Sequence, residues 1–203
     1  MKRQVVDYVQ GANDPELLDV AGRSLNMAID EINLHAWKKL TGAHYITLSV
    51  NQADYALKSD FRDPAKCELL DSSGNPRRRL MYKDFETMQI EHPDGGLTGS
   101  PNFYTIYYSE RLVTLERLPN QAFIDQYPTM RLRHYRRIPY LEGQLKLDAP
   151  SEFSLFVVWT ARAELAAIRG ESRSSLFATN KAGVVMRRLL SENYDTQTDW
   201  SEY

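Results

Sequence analysis

The sequence predicts an α+β fold, a helical bundle formed by N-terminal and C-terminal helices with an inserted strand-rich lobe. Apolar periodicity changes twice along the chain. A helical repeat runs over residues 14–41, a two-residue alternation takes over at Tyr45, and a helical repeat returns after Pro150. The expected divisions are an N-terminal segment and long helix (1–42), the strand-rich lobe (43–148), C-terminal helices (149–193) and a polar arm (194–203).

The first helix has a start signal. Asp14 can cap it, Pro15 suits the first helical position, and Glu16 meets the positive end of the helix dipole. Leu18, Ala21, Leu25, Ala28, Ile29, Ile32, Ala36 and Leu40 then recur on one face, and Gly42 supplies a stop. In "YITLSV", Ile46, Leu48 and Val50 alternate with Tyr45, Thr47 and Ser49, as in a strand with one buried face. The following "SVNQADYALKSDF" ends that strand and turns, with Tyr55 and Leu57 closing over the sheet. "KCELLDSSGNPRRRLMY" reads as two strands around a turn at "SSGNP". "MYKDFETMQI" contains a short helix, "HPDGGLTGSPN" is a loop, "FYTIYYSERLVTLER" is a hairpin about Ser109 and Glu110, and "TMRLRHYRRI" is a further strand.

Beyond Pro150, Ser151 is the expected cap of a helix that buries Phe153, Phe156, Val157, Thr160, Ala163, Leu165 and Ala167 and stops at Gly170. "SSLFATNKAGVVMRRLLSENY" supplies the last helix, with Leu176, Phe177, Val184, Val185 and Leu189 as packing positions and Gly183 as a weak point. The terminal "SENYDTQTDWSEY" carries Glu192, Asp195, Asp199 and Glu202 and no Lys or Arg. It reads as a loose tail with incidental aromatics, or as an arm that orders against a partner with Tyr194, Trp200 and Tyr203 as its anchors.

Composition excludes several function classes. Hydrophobic residues make up 42%, enough for a sizeable core, but no run approaches the ~20 apolar residues of a membrane helix. "MKRQVVDYVQGANDPELLD" has no apolar stretch resembling a signal peptide. Cys67 is the only cysteine, so an intrachain disulfide is impossible, and its place in an apolar strand suits a small buried hydrophobe. "PDGGLTGSP" lacks the P-loop lysine, and no GxSxG elbow is present. His92 lies near Glu91 and Asp94, but His35, His44 and His134 form no ligand spacing with it. Asp30/Glu31 and Asp84/Glu86 read as solvated helix surface. The chain therefore reads as non-enzymatic, with no cofactor and no metal.

A formal net charge of -2 gives no whole-chain attraction for nucleic acid, so any such role falls to local clusters. Arg77, Arg78 and Arg79 form one, and Arg131, Arg133, Arg136 and Arg137 another, with Arg131 and Arg133 on one strand face opposite Met130, Leu132 and His134. Arg187 and Arg188 form a third. Such groups can contact phosphate, face solvent, or meet carboxylates on a neighbouring subunit. The first outcome would make the chain a nucleic-acid-binding or DNA-packaging accessory protein. Tyr104, Tyr107, Tyr108, Tyr135 and Tyr140 can stack on bases or pack the sheet.

The order of segments resembles the head-to-tail adaptor (neck, or head-completion) proteins of tailed bacteriophages. "LLDVAGRSLNMAIDEINLHAWKKLTG" is similar to that family's first helix with a Trp near its end, and "ITLSVNQADYALKSDF" to its strand leading to Gln, Tyr-x-Leu and Asp-Phe. "RRLMYKDFETM", "GSPNFYTIY", "ERLPNQAFIDQYPTMRLRHYRRIPYL" and "FSLFVVWTARAELAAIRGE" follow in the family's order. One departure is that Gln121 stands where a second Pro is usual after Pro119. The resemblance spans residues 14–193 and implies a structural subunit of a ring, commonly of twelve copies, beneath the portal. Its implied partners are other copies of itself, the portal protein, tail or nozzle proteins and, transiently, genomic double-stranded DNA, with no membrane. Its implied location is the virion neck, reached from the host cytoplasm during assembly. It implies no catalytic residues.

Overall fold

Helix α1 spans Pro15–Asn33 and buries Ala21, Leu25, Ala28, Ile29 and Ile32, the stripe its spacing predicts. The computed structural model describes residues 15–92, 96–141 and 147–194. Two compact units divide the chain by contacts: residues 1–40 with 137–203, and residues 41–136.

The expected fold class is corrected. The chain is a mixed α+β protein whose seven-stranded sheet is a principal body with its own core, not a lobe inserted into a helical bundle. Cys67, Leu69, Leu80, Ile106, Val113, Met130 and Leu132 are almost fully buried within that sheet unit. Its weight was hard to read because the apolar residues arrive in many short strands, each burying only a few side chains.

In the helical unit, α1 packs on α4 (Ser151–Ile168), and α4 packs on α5 (Ser172–Tyr194). Helix α1 stops eight residues earlier than its apolar spacing suggests, at Asn33 rather than 41. Trp37 explains the stop. Its ring is buried edge-on against Phe153 at 5.3 Å, and its indole Nε1 donates to the Ile32 carbonyl at 2.8 Å. That carbonyl also accepts from the His35 N–H at 3.1 Å, so backbone and side chain together close the helix end.

Asparagines fasten irregular backbone to this unit. Asn33 Nδ2 donates to the Ile138 carbonyl at 3.0 Å while its Oδ1 accepts from the Ile138 N–H at 2.9 Å. Asn193 Oδ1 accepts from the Lys38 N–H at 3.0 Å, and its Nδ2 donates to Ala36 O at 3.2 Å. Asn33→Ala removes both bonds to Ile138, so a loss of about 2 kcal/mol is expected at roughly 1 kcal/mol per bond. Denaturant unfolding of the two proteins checks it, and equal midpoints would refute the role.

Helix α4 begins without a side-chain cap, and Ser151 is its first residue rather than its cap. It ends as predicted at Gly170, whose φ of 72° suits glycine. The Gly170 N–H donates to Ala167 O and the Glu171 N–H to Ala166 O, the paired bonds of a Schellman stop. Helix α5 meets expectation in part, with Leu189 buried and Val185 half-buried against the core. Leu176, Phe177 and Val184 are exposed, and the buried positions are Ala178, Ala182 and Leu189. Leu189 shares the core with Ala182, and Val185, Met186 and Leu190 pack against it; Ser175 Oγ donates to Ala163 O at 2.9 Å.

In the sheet unit the strand order is β1-β9-β3-β4-β6-β7-β2, with β1 at Thr41–Thr47, β2 at Asp54–Ala56, β3 at Phe61–Leu70, β4 at Pro76–Tyr82, β6 at Phe103–Tyr107, β7 at Leu112–Leu115 and β9 at Thr129–Arg136. Neighbours are antiparallel except β4 and β6, a short parallel pair. A two-stranded sheet pairs β5 (Thr98–Gly99) with β8 (Leu118–Pro119). Strand β2 lies inside the stretch expected to be a turn. Tyr55 nevertheless closes over the core as anticipated, its hydroxyl donating to Gln52 O at 2.9 Å. Strand β1 ends at Thr47, so Val50 is exposed instead of continuing the buried face. The β3–β4 turn is held by Asp71, whose Oδ1 accepts from the Ser73 and Asn75 N–H groups at 2.9 Å, with Gly74 at φ 80°. Short helices α2 (Phe85–Glu91) and α3 (Gln121–Gln126) are capped by Asp84 and Asn120.

Candidate interaction surfaces

Strand β9 alternates as its sequence predicts. Met130, Leu132 and His134 are buried, and Arg131 and Arg133 occupy the other face. Register then decides what those arginines do. Glu68 on β3 lies directly opposite Arg131, and Lys66 opposite Arg133. Arg131 Nε and Nη2 both donate to Glu68 Oε2, at 3.0 and 2.8 Å. Arg133 Nε approaches the same oxygen at 3.5 Å, and Lys66 Nζ reaches Oε1 at 2.7 Å. Glu68 is only 5% exposed. Burial pushes its carboxyl up, but the bonds from Lys66 and Arg131 outweigh burial and hold it below the usual carboxylate range.

Arg136 Nε donates to Asp60 Oδ2 at 2.7 Å, and the buried His134 ring brings Nε2 within 3.5 Å of Asp60 Oδ1. The Asp60 carboxyl is likewise raised by burial and lowered by more through Arg136 and His134. Arg77 Nε binds Asp71 Oδ2 at 2.7 Å and so braces the β3–β4 turn. Arg78 donates to Asn102 Oδ1. Arg79 is exposed beside a cavity, and Arg137 is exposed just after β9. The structure thus gathers Arg131 and Arg133 at one carboxylate and gives Arg136 and Arg77 separate ones within the same sheet unit. Tyr194 is the last residue of α5, and Trp200 and Tyr203 lie outside the described residues.

The cavity has a volume of about 300 Å³ and is lined by Cys67, Leu80, Tyr82, Tyr104 and Tyr108 together with Pro64, Ala65 and Arg79. Burial pushes the Tyr104 phenol and the Cys67 thiol above their ordinary ranges. Burial and then Asp63 push Tyr108 up to about 12. At neutral pH these groups stay protonated, so they offer stacking and hydrogen bonds rather than a nucleophile. Among the described residues, no three His, Cys, Asp or Glu side chains come together as metal ligands. No helix among them is long and apolar enough to cross a membrane.

A surface that the sequence reading missed lies on α4 and α5. Leu155, Leu176, Phe177 and Val184 are between 49% and 64% exposed. Phe177 meets Trp159 edge-on at 5.9 Å, Arg162 stacks over Trp159 at 4.9 Å, and Lys181 Nζ stands 5.3 Å from the Phe177 ring. The available signal was the alanine pattern. Ala178 and Ala182 share a face of α5 that excludes Phe177 and Val184, so only one of the two sets can be buried.

The family model described as SU10 adaptor protein matches residues 1–198 of the chain. No curated protein matches it.

Proposed function

We propose, from the premise that this chain belongs to the SU10 adaptor protein family of phage head-to-tail adaptors, that it forms a ring beneath the portal, extends the DNA channel and joins the tail. Its partners are then other copies of itself, the portal protein and tail or nozzle proteins, with genomic duplex passing through the channel. Its place is the neck of the virion, and its role is structural rather than enzymatic. The observation that carries the ring reading is the exposed apolar surface of α4 and α5, where Leu155, Phe177 and Val184 remain uncovered by the subunit's own fold. A subunit that associates with copies of itself has a use for such a surface.

The reading as a DNA-packaging accessory loses its main support at Glu68 and Asp60, which engage Arg131, Arg133 and Arg136 within the subunit. Purified protein mixed with the portal and imaged by negative stain tests the proposal. Rings seated on the portal are expected, and free subunits at every concentration and salt tried would contradict it. Duplex DNA titrated into the free subunit is expected to bind weakly. Tight binding that falls steeply with salt would favour the accessory role.

A further inference from the structure

The outward face of α5 combines two features that rarely share a helix surface. Between Ser172 and Ser191 the helix carries Arg173, Lys181, Arg187 and Arg188 and no acidic residue. Arg173, Leu176, Phe177, Lys181, Val184 and Arg187 are all exposed, so large apolar groups alternate with cations along this face. Arg188 has a partner in Glu192 at 2.8 Å, which leaves the charge of the other cations in excess. A solvated helix face ordinarily mixes charge signs and holds few large apolar groups. This one has the chemistry to receive an acidic segment with aromatic anchors.

The chain itself contains such a segment. Residues 195–203 hold Asp195, Asp199 and Glu202, the aromatics Trp200 and Tyr203, and no Lys or Arg. The arginines of β9 are already engaged by Glu68 and Asp60. We propose that the basic and apolar face of α5, centred on Phe177, Lys181, Val184 and Arg187, docks the acidic C-terminal segment of a second copy of this chain.

Chain direction favours a second copy over the same one. At 1.5 Å per residue, Phe177 lies roughly 26 Å back along α5 from Tyr194. A fully extended 195–200 segment covers roughly 21 Å, before any residue is used to reverse direction. A subunit's own segment can come to Arg187, Val184 or Lys181 only by reversing directly after Tyr194 and running back along its own helix, whereas a neighbour's needs no such reversal. The inference rests on the ring proposed above and supplies its subunit contact.

A fluorescein-labelled peptide of residues 194–203, titrated with dilute full-length protein, is the test. Binding is expected, weakening with salt, and Lys181→Glu with Arg187→Glu is expected to lower affinity by about tenfold or more. A peptide carrying Trp200→Ala should lose a similar factor. The substituted α5 residues are exposed, so the helical content and melting of the variant should match wild type. Charge exchange gives the second arm. Copies with the reversed α5 face and copies with a basic tail (Asp195→Lys, Asp199→Lys, Glu202→Lys) should each assemble poorly on the portal and assemble together when mixed. Absent peptide binding, equal binding by the variant, or no rescue on mixing overturns the docking. So does duplex DNA that binds where the peptide does not and is lost in the same variant. Wild-type rings on the portal alongside any of these failures leave the adaptor reading standing, whereas no rings at all removes that reading separately.

Discussion

Leu25→Asp is expected to unfold the helical unit. Leu25 is fully buried in the core that α1 shares with Phe153, Val157 and Leu165. An aspartate there has no cation among its apolar neighbours, and the cost of burying it exceeds the roughly 3 kcal/mol of an ordinary destabilising substitution. Leu25→Ala is the gentler companion, expected to cost about 3 kcal/mol through lost contacts and a residual cavity. Because the sheet unit keeps its own core, hydrogen exchange is the discriminating measurement. Protection should vanish across α1, α4 and α5 and persist in β3 and β9. A Leu25→Asp protein that melts within a degree of wild type contradicts the packing, and equal loss of protection in β3 and β9 contradicts the separate cores.

The second large effect is expected at Glu68. Glu68→Ala leaves Lys66, Arg131 and Arg133 facing one another around an empty position, with the Arg131 side chain only 15% exposed. Removing one partner of a buried pair costs about 3–5 kcal/mol, and the half-exposed Arg133 reduces that here to about 2–3 kcal/mol. A Glu68→Leu, Arg131→Leu double variant should recover part of the loss, because the isolated cation goes with its partner. The pH dependence follows from direction. The folded carboxyls of Glu68 and Asp60 lie below their ordinary values. Their stabilisation is therefore complete above the unfolded carboxylate values, about 4.3 and 3.9, and is lost as pH falls through the lower folded values. The gap in melting temperature between wild type and Glu68→Gln should be widest above about pH 5 and close progressively in acid. A gap that is constant from neutral pH into acid would contradict the ion cluster.

Glu68 also marks the boundary of what sequence can say. In "KCELL" it is a carboxylate within an apolar run, and nothing local explains it. Its explanation is the register that sets β3 against β9, a pairing of residues far apart in the chain. The alternation of β9, the stripe of α1, the turn at Gly74 and the stop at Gly170 were legible because local chemistry alone determines each of them. The end of α1 was not, because Trp37 and Asn33 make bonds that no periodicity records. Strands β2, β5 and β8 are too short to show a period, so β2's place in the sheet and the separate β5–β8 pair were not legible. The arginines were visible as clusters, but whether they faced phosphate or carboxylate depended on strand pairing. On α5 the size of Phe177 and Leu176 suggested core, while close helix packing favoured Ala178 and Ala182 there instead.

A cryo-EM map of the particle neck tests most directly whether this chain is the adaptor between portal and tail. A ring of density is expected directly beneath the portal, into which each unit of the subunit fits, with the α5 face covered by a neighbouring copy. A neck in which the portal meets the tail with no density for this chain would contradict it.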